Sequence, residues 1–61
     1  MTFSIEAQIA EVEREIKMRI DVYARQIAAG KMRRSIAEYH TDCMRAVLAT
    51  LEKAKKHEPR R

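Results

Sequence analysis

A single glycine near the middle of the chain, Gly30, constrains the fold more than any other residue. It separates two segments of about 25 residues in which apolar residues recur every three or four positions, the spacing of an amphipathic helix. Glycine readily adopts the left-handed backbone conformation that ends many helices. The stretch from Gly30 to Glu38, GKMRRSIAE, is therefore predicted to form the bend of a helical hairpin.

The composition agrees with an all-α fold. The chain has 61 residues, of which 46% are hydrophobic and 36% charged, with one proline and no tryptophan. Such a profile is typical of long helices, and the length allows one small domain. We expect a single helical-hairpin domain over 1–61, with helix 1 at about 4–29, the bend at 30–34, helix 2 at about 35–57 and a frayed basic tail at 58–61.

The first helix has one narrow apolar stripe. Ser4 is suited to cap it, because a serine hydroxyl can accept a hydrogen bond from a free amide of the first turn. The stripe then follows in steps of three and four, through Ile5, Ile9, Val12, Ile16, Ile20, Tyr23 and Ile27. Such spacing predicts a helix with one face packed on a partner.

The second helix has a wider apolar face. Ser35 and Glu38 match the capping box, which predicts that the helix starts there. Its predicted stripe consists of Ile36, His40, Cys43, Val47, Leu51 and Ala54. Further apolar residues lie on both sides of this stripe, Met44 and Leu48 on one and Tyr39 and Ala46 on the other. Together they cover an arc of roughly 200°, more than one neighbouring helix can cover.

Folding the chain back at the bend aligns the two stripes, so that Ile27 meets Ile36, Tyr23 meets His40 and Ile16 meets Val47. One such seam is a small core for a chain without an internal disulfide. We therefore expect an antiparallel two-helix hairpin that dimerises into a four-helix bundle. The expected core and self-association residues are Ile16, Tyr23, Tyr39, Met44, Val47, Leu48 and Leu51.

His40 and Cys43 share one helical face at a spacing that two chains could use to bind zinc. The spacing alone is weak evidence, and we favour a core histidine bonded to Tyr23 beside a small apolar cysteine. No third group is evident that would orient a catalytic Cys–His pair, and a hairpin has no deep cleft. We expect no catalytic residues, no bound metal and no cofactor, and thus a protein that is not an enzyme.

Positive charge is concentrated in the bend and near the end of helix 2. The candidate phosphate-binding residues are Lys31, Arg33, Arg34, Lys53, Lys55 and Lys56, followed by Arg60 and Arg61. In an antiparallel dimer, the bend of one chain could lie beside the tail of the other, which would suit nucleic acid. The favoured interpretation is solvated charge at two helix C-termini, where cations are favourable. An interaction protein is thus preferred over a nucleic-acid-binding factor.

The sequence also predicts a compartment. The first residues lack the basic and long apolar regions of a signal peptide, and the longest apolar run is far shorter than the roughly 20 residues that span a membrane. One cysteine gives no indication of an oxidising environment. We expect a cytoplasmic protein without a membrane partner.

Six short motifs are distributed along both predicted helices and the bend: Glu11–Glu15, Met18-Arg19, Val22-Tyr23, Ala28–Met32, Ala37–Tyr39 and Met44–Leu51. In these motifs the sequence resembles short uncharacterised proteins encoded in proteobacterial phages and prophages. The resemblance implies a phage-derived helical-hairpin protein, with no known activity and no functional residues. The layout is also similar to that of ROP, an RNA-binding bundle, without matching sequence.

Overall fold

The computed structural model describes residues 2–57 and consists of two antiparallel helices. Helix α1 spans Ile5–Ala28 and helix α2 spans Arg34–Lys56, and residues 2–57 contain no strand. The predicted all-α hairpin is confirmed. The predicted frayed tail at 58–61, with Arg60 and Arg61, lies outside the described residues.

Helix α1 begins as the sequence predicts. Ser4 has extended backbone, and its side-chain oxygen accepts a hydrogen bond from the Ala7 amide at 3.1 Å. The side chain of Gln8 donates to the Phe3 carbonyl, also at 3.1 Å. Because the first amides of a helix have no partner within the helix, the bond to Ser4 stabilises the start of α1 at this position.

The bend starts with a Schellman motif centred on Gly30. The backbone of Gly30 has a φ of 74°, in the left-handed region, and Ala29 is the last near-helical residue. The Gly30 amide donates to the Ile27 carbonyl at 3.0 Å, and the Lys31 amide donates to the Gln26 carbonyl at 2.9 Å. These bonds satisfy carbonyls that the end of α1 leaves free. The predicted role of Gly30 as the helix terminator is confirmed.

The predicted capping box at the start of α2 is wrong. Helix α2 begins at Arg34, and its N-cap is Arg33, which has extended backbone but makes no hydrogen bond through its side chain. Instead, the Arg33 carbonyl accepts from the Ile36 and Ala37 amides, each at 3.1 Å. Since Ser35 already lies inside the helix, it cannot act as the extended residue that a capping box requires.

The contact between the two helices, here called the seam, uses the predicted face of α1. Six of its seven predicted stripe residues are half-buried, and Ile20 is 44% exposed. Ala37 of α2 is 6% exposed, and it is the only buried residue among residues 2–57. The half-buried residues that follow it on α2 are Thr41, Met44, Leu48 and Leu51.

The predicted stripe of α2 is therefore wrong except at Leu51. Ile36 is 47% exposed and Val47 is 42% exposed, and His40, Cys43 and Ala54 are exposed as well. The true seam is displaced by one residue, which is about 100° around the helix. The wide apolar arc allowed either orientation. In the observed orientation of α2, Ala37 faces α1 close to the bend, and its small side chain lets the two helices approach each other.

The hairpin leaves much of its apolar surface open to solvent. It measures 51 × 20 × 15 Å, and no large side chain among residues 2–57 is fully buried. Its accessible surface is 5329 Å², whereas a compact monomer of this mass would expose about 4,100 Å². Its radius of gyration is 14.6 Å, compared with roughly 10.5 Å for a compact domain of this length. One layer of two helices cannot enclose a core here.

Candidate interaction surfaces

Helix α2 carries an exposed row of residues that runs along nearly its whole length. We call this row the outer stripe; it consists of Ile36, His40, Cys43, Val47, Thr50 and Ala54. Successive members are three or four residues apart, so they lie on one face of the helix. This face is rotated by about 100° from the seam and therefore does not point at α1.

The outer stripe contains no charged residue, although 36% of the chain is charged. The acidic and basic residues of α2 all lie on its other faces: Arg34, Glu38, Asp42, Arg45, Glu52, Lys53, Lys55 and Lys56. The Thr50 hydroxyl donates to the Ala46 carbonyl at 3.0 Å, so its hydrogen is already bonded within the helix. A helix face of this kind can be covered by a partner at little desolvation cost.

Aromatic rings extend the outer stripe near the bend. Tyr39 is 67% exposed, and its ring meets that of His40 edge-on, with centroids 5.3 Å apart. Tyr23 lies in the seam, and its ring centroid is 6.3 Å from that of His40. The predicted approach of Tyr23 and His40 is thus present. His40 is nevertheless an exposed residue between two tyrosines, and the prediction that it belongs to the core is wrong.

The residues expected to form the core or the self-association surface separate into two groups. Five of them are half-buried in the seam: Ile16, Tyr23, Met44, Leu48 and Leu51. Tyr39 and Val47 are exposed, at 67% and 42%. Sequence reasoning missed Ala37 and Thr41 as seam residues, although their spacing from Met44 and Leu48 is as regular as that of the predicted stripe.

An open apolar groove adjoins the outer stripe at the end of the hairpin opposite the bend. Its lining is mainly apolar, with Phe3, Ala7 and Val12 on one side and Val47 and Leu51 on the other, while Gln8 and Glu11 add polar groups to the first side. Phe3 is 68% exposed there. The groove continues the apolar surface of α2 onto the start of α1, so a partner lying along α2 would also reach α1.

The outward face of α1 is more polar. Glu11 pairs with Arg14, Glu15 with Arg19 at 3.1 Å, and Asp21 with Arg25 at 2.9 Å. These exposed pairs stabilise the helix only slightly. Met18 and Val22 lie among them, at 49% and 38% exposure. They do not form a continuous apolar face.

Two arginines of this face have raised pKa values. A hydrogen bond to Glu11 is the main cause of the raised pKa of Arg14. For Arg19, the Tyr23 hydroxyl is the first cause of the raised pKa, and the Glu15 carboxylate adds to it. Both side chains therefore keep their positive charge at any physiological pH.

The basic residues lie at both ends of the hairpin. Lys31 and Arg33 in the bend and Arg34 at the start of α2 are exposed, and they take part in none of the ion pairs formed within residues 2–57. Lys53, Lys55 and Lys56 are in the last turn of α2. The ammonium group of Lys55 is 4.0 Å from the Glu6 carboxylate at the start of α1, which places these lysines at the other end of the molecule. The two basic groups of one chain are thus far apart.

The side chains with metal-binding chemistry do not converge. Within residues 2–57, no three histidine, cysteine or acidic side chains lie close enough together to hold a metal ion. His40 and Cys43 are exposed members of the outer stripe. Neither α1 nor α2 is long and apolar enough to cross a membrane.

Comparisons with protein-family models, with curated proteins and with solved structures find no match for this chain.

Proposed function

We propose that this chain is a small, non-enzymatic interaction protein that associates with itself through the apolar faces of its helices. The main support is the exposed, uncharged outer stripe on a hairpin whose one buried residue, within the described part, is Ala37. Exposed apolar surface of this extent is typical of an interaction site. A four-helix bundle made from two hairpins would cover it.

The surface area supports the same proposal. The hairpin exposes about 1,200 Å² more than a compact monomer of its mass would. A standard protein interface covers about 800 Å² on each partner. The excess is therefore larger than the area that one standard interface would bury on this chain, so the hairpin has enough surface to form such an interface.

Sedimentation equilibrium is the direct test of self-association. We expect a mass of twice 7.1 kDa at micromolar concentration, with helical circular dichroism that decreases on dilution as the dimer dissociates. A monomer that keeps its full helicity at these concentrations would contradict the proposal.

A phage or prophage origin is part of the proposal and rests on the sequence resemblance. An interaction protein of this kind would work by binding another protein chain, and its site of action would be the cytoplasm. A partner of phage or host origin would bind the surface that the self-associated hairpins leave open.

Nucleic-acid binding is a second candidate function, supported by the exposed bend residues Lys31, Arg33 and Arg34, which have no acidic partner within residues 2–57. Unpaired lysine and arginine side chains bind phosphates by displacing counterions, so the affinity falls as salt rises. Dimerisation through α2 could add Lys53, Lys55 and Lys56 of a second copy to the same end.

The second candidate predicts binding of DNA or RNA at low salt that decreases when Arg33, Arg34, Lys55 and Lys56 are replaced with alanine. Fluorescence anisotropy with a labelled duplex and a labelled RNA hairpin measures it. Removing four phosphate contacts should make the negative slope of log affinity against log salt shallower by about 3 to 4 units. If neither probe binds the unaltered chain at low salt, this candidate is ruled out.

A further inference from the structure

We propose that the outer stripe packs against the outer stripe of a second copy of the chain, with the two α2 helices antiparallel. This inference rests on the proposed self-association and specifies its interface. In this arrangement Ile36 lies opposite Ala54 of the second copy, His40 lies opposite Thr50, and Cys43 lies opposite Val47.

The spacing of the outer stripe supports this arrangement. Its steps along α2 are four, three, four, three and four residues, so the row is the same in both directions. A two-fold axis perpendicular to the helices, midway along the row, therefore brings every member opposite another member. Alternating steps of four and three are the heptad spacing of a coiled-coil seam, so the row can pack along its whole length against a second copy of itself.

The sizes of the side chains favour the antiparallel arrangement over the parallel one. Antiparallel packing puts the bulky Ile36 against the small Ala54, and Val47 against the smaller Cys43. Parallel packing would put isoleucine against isoleucine at one end and alanine against alanine at the other, leaving a gap there. Protein interfaces pack large residues against small ones because voids lose contacts.

The polar members of the outer stripe and the helix dipoles also favour the antiparallel arrangement. The imidazole of His40 would lie beside the hydroxyl of Thr50, which has lone pairs left to accept a hydrogen bond. In the parallel arrangement the same imidazole would face another imidazole. Antiparallel helices also place the positive end of one dipole beside the negative end of the other.

Engineered disulfides test the arrangement directly in the full chain. In a Cys43→Ala background, Ile36→Cys and Ala54→Cys are introduced separately and together. The two positions are 18 residues apart on one straight helix, about 27 Å at a rise of about 1.5 Å per residue. This is far beyond the Cα separation of about 4.4–6.8 Å that a disulfide needs, so the bond cannot form within one chain.

We expect the double variant to form covalent dimers in a glutathione redox buffer at least tenfold faster than either single variant. Mass spectrometry should find residue 36 linked to residue 54. Rapid cross-linking of the Ile36→Cys single variant would instead identify a parallel dimer and overturn the inference.

Sedimentation of the Cys43→Ala parent separates this inference from the proposal on which it rests. A dimeric parent whose double variant does not cross-link would show that another face forms the contact, which overturns the inference and leaves self-association standing. A parent and an unaltered chain that are both monomeric would overturn both. Circular dichroism of each variant shows whether it retains the helices of the parent.

Discussion

Replacing Val47 with glutamate is expected to weaken self-association of the chain about 100-fold or more, a factor equal to roughly 2.7 kcal/mol. Val47 is 42% exposed in the single hairpin and lies in the middle of the outer stripe, so the carboxylate is well solvated in the monomer. In a symmetric dimer it would be buried twice, with no lysine or arginine on the stripe to pair with it. The dissociation constant is measured by sedimentation equilibrium.

Ala49→Glu is the matched control for this prediction. Ala49 is also exposed but lies two residues further on, on the charged side of α2. A glutamate there would have Lys53 four residues later, a favourable spacing for an ion pair on a helix. We expect its dissociation constant to match that of the unaltered chain. Equal effects of the two substitutions would show that the outer stripe has no special role.

Replacing Leu48 with alanine is expected to lower the free energy of unfolding by about 2 kcal/mol, the low end of the range for such changes. Leu48 is half-buried in the seam, between Met44 and Leu51 on the same face of α2. Its truncation removes apolar contacts with α1 and leaves a gap that the neighbouring side chains fill only partly. The measurement is urea unfolding followed by circular dichroism at one fixed protein concentration.

Met18→Ala provides the control for the loss of side-chain volume. Met18 is 49% exposed on the outward face of α1, so its truncation should change the free energy of unfolding by less than about 0.5 kcal/mol. If Leu48→Ala had an effect this small, Leu48 would not be part of the contact between the helices. The result would then favour the seam predicted from the sequence, which uses Val47.

Local features of the chain were predictable because each depends on a few neighbouring residues. The N-cap at Ser4 and the Schellman motif at Gly30 are hydrogen-bonded within five residues of the capping position. The start of α2 was harder, because the capping box at Ser35 and the extended residue Arg33 compete for the same turn. The backbone of the bend, and not the serine hydroxyl, decides where the helix begins.

The candidate interface was predicted only in part. The spacing of Ile36, His40, Cys43, Val47 and Ala54 correctly predicts that they share one helical face, but it wrongly predicts that this face packs against α1. Because these residues are exposed, they do not form a core within one chain. They form a surface that a second chain can cover. No periodicity in a single sequence distinguishes these two uses, since both require apolar residues at the same spacing.

The sequence by itself determined two helices, their amphipathic faces and the position of the bend, since these depend on helical spacing and on the one glycine of the chain. Only the tertiary structure decided which half of the wide apolar arc of α2 faces α1. That choice depends on the direction in which the chain leaves Gly30 and on the close approach that Ala37 permits. Both are properties of two helices in contact, and they leave the outer stripe exposed.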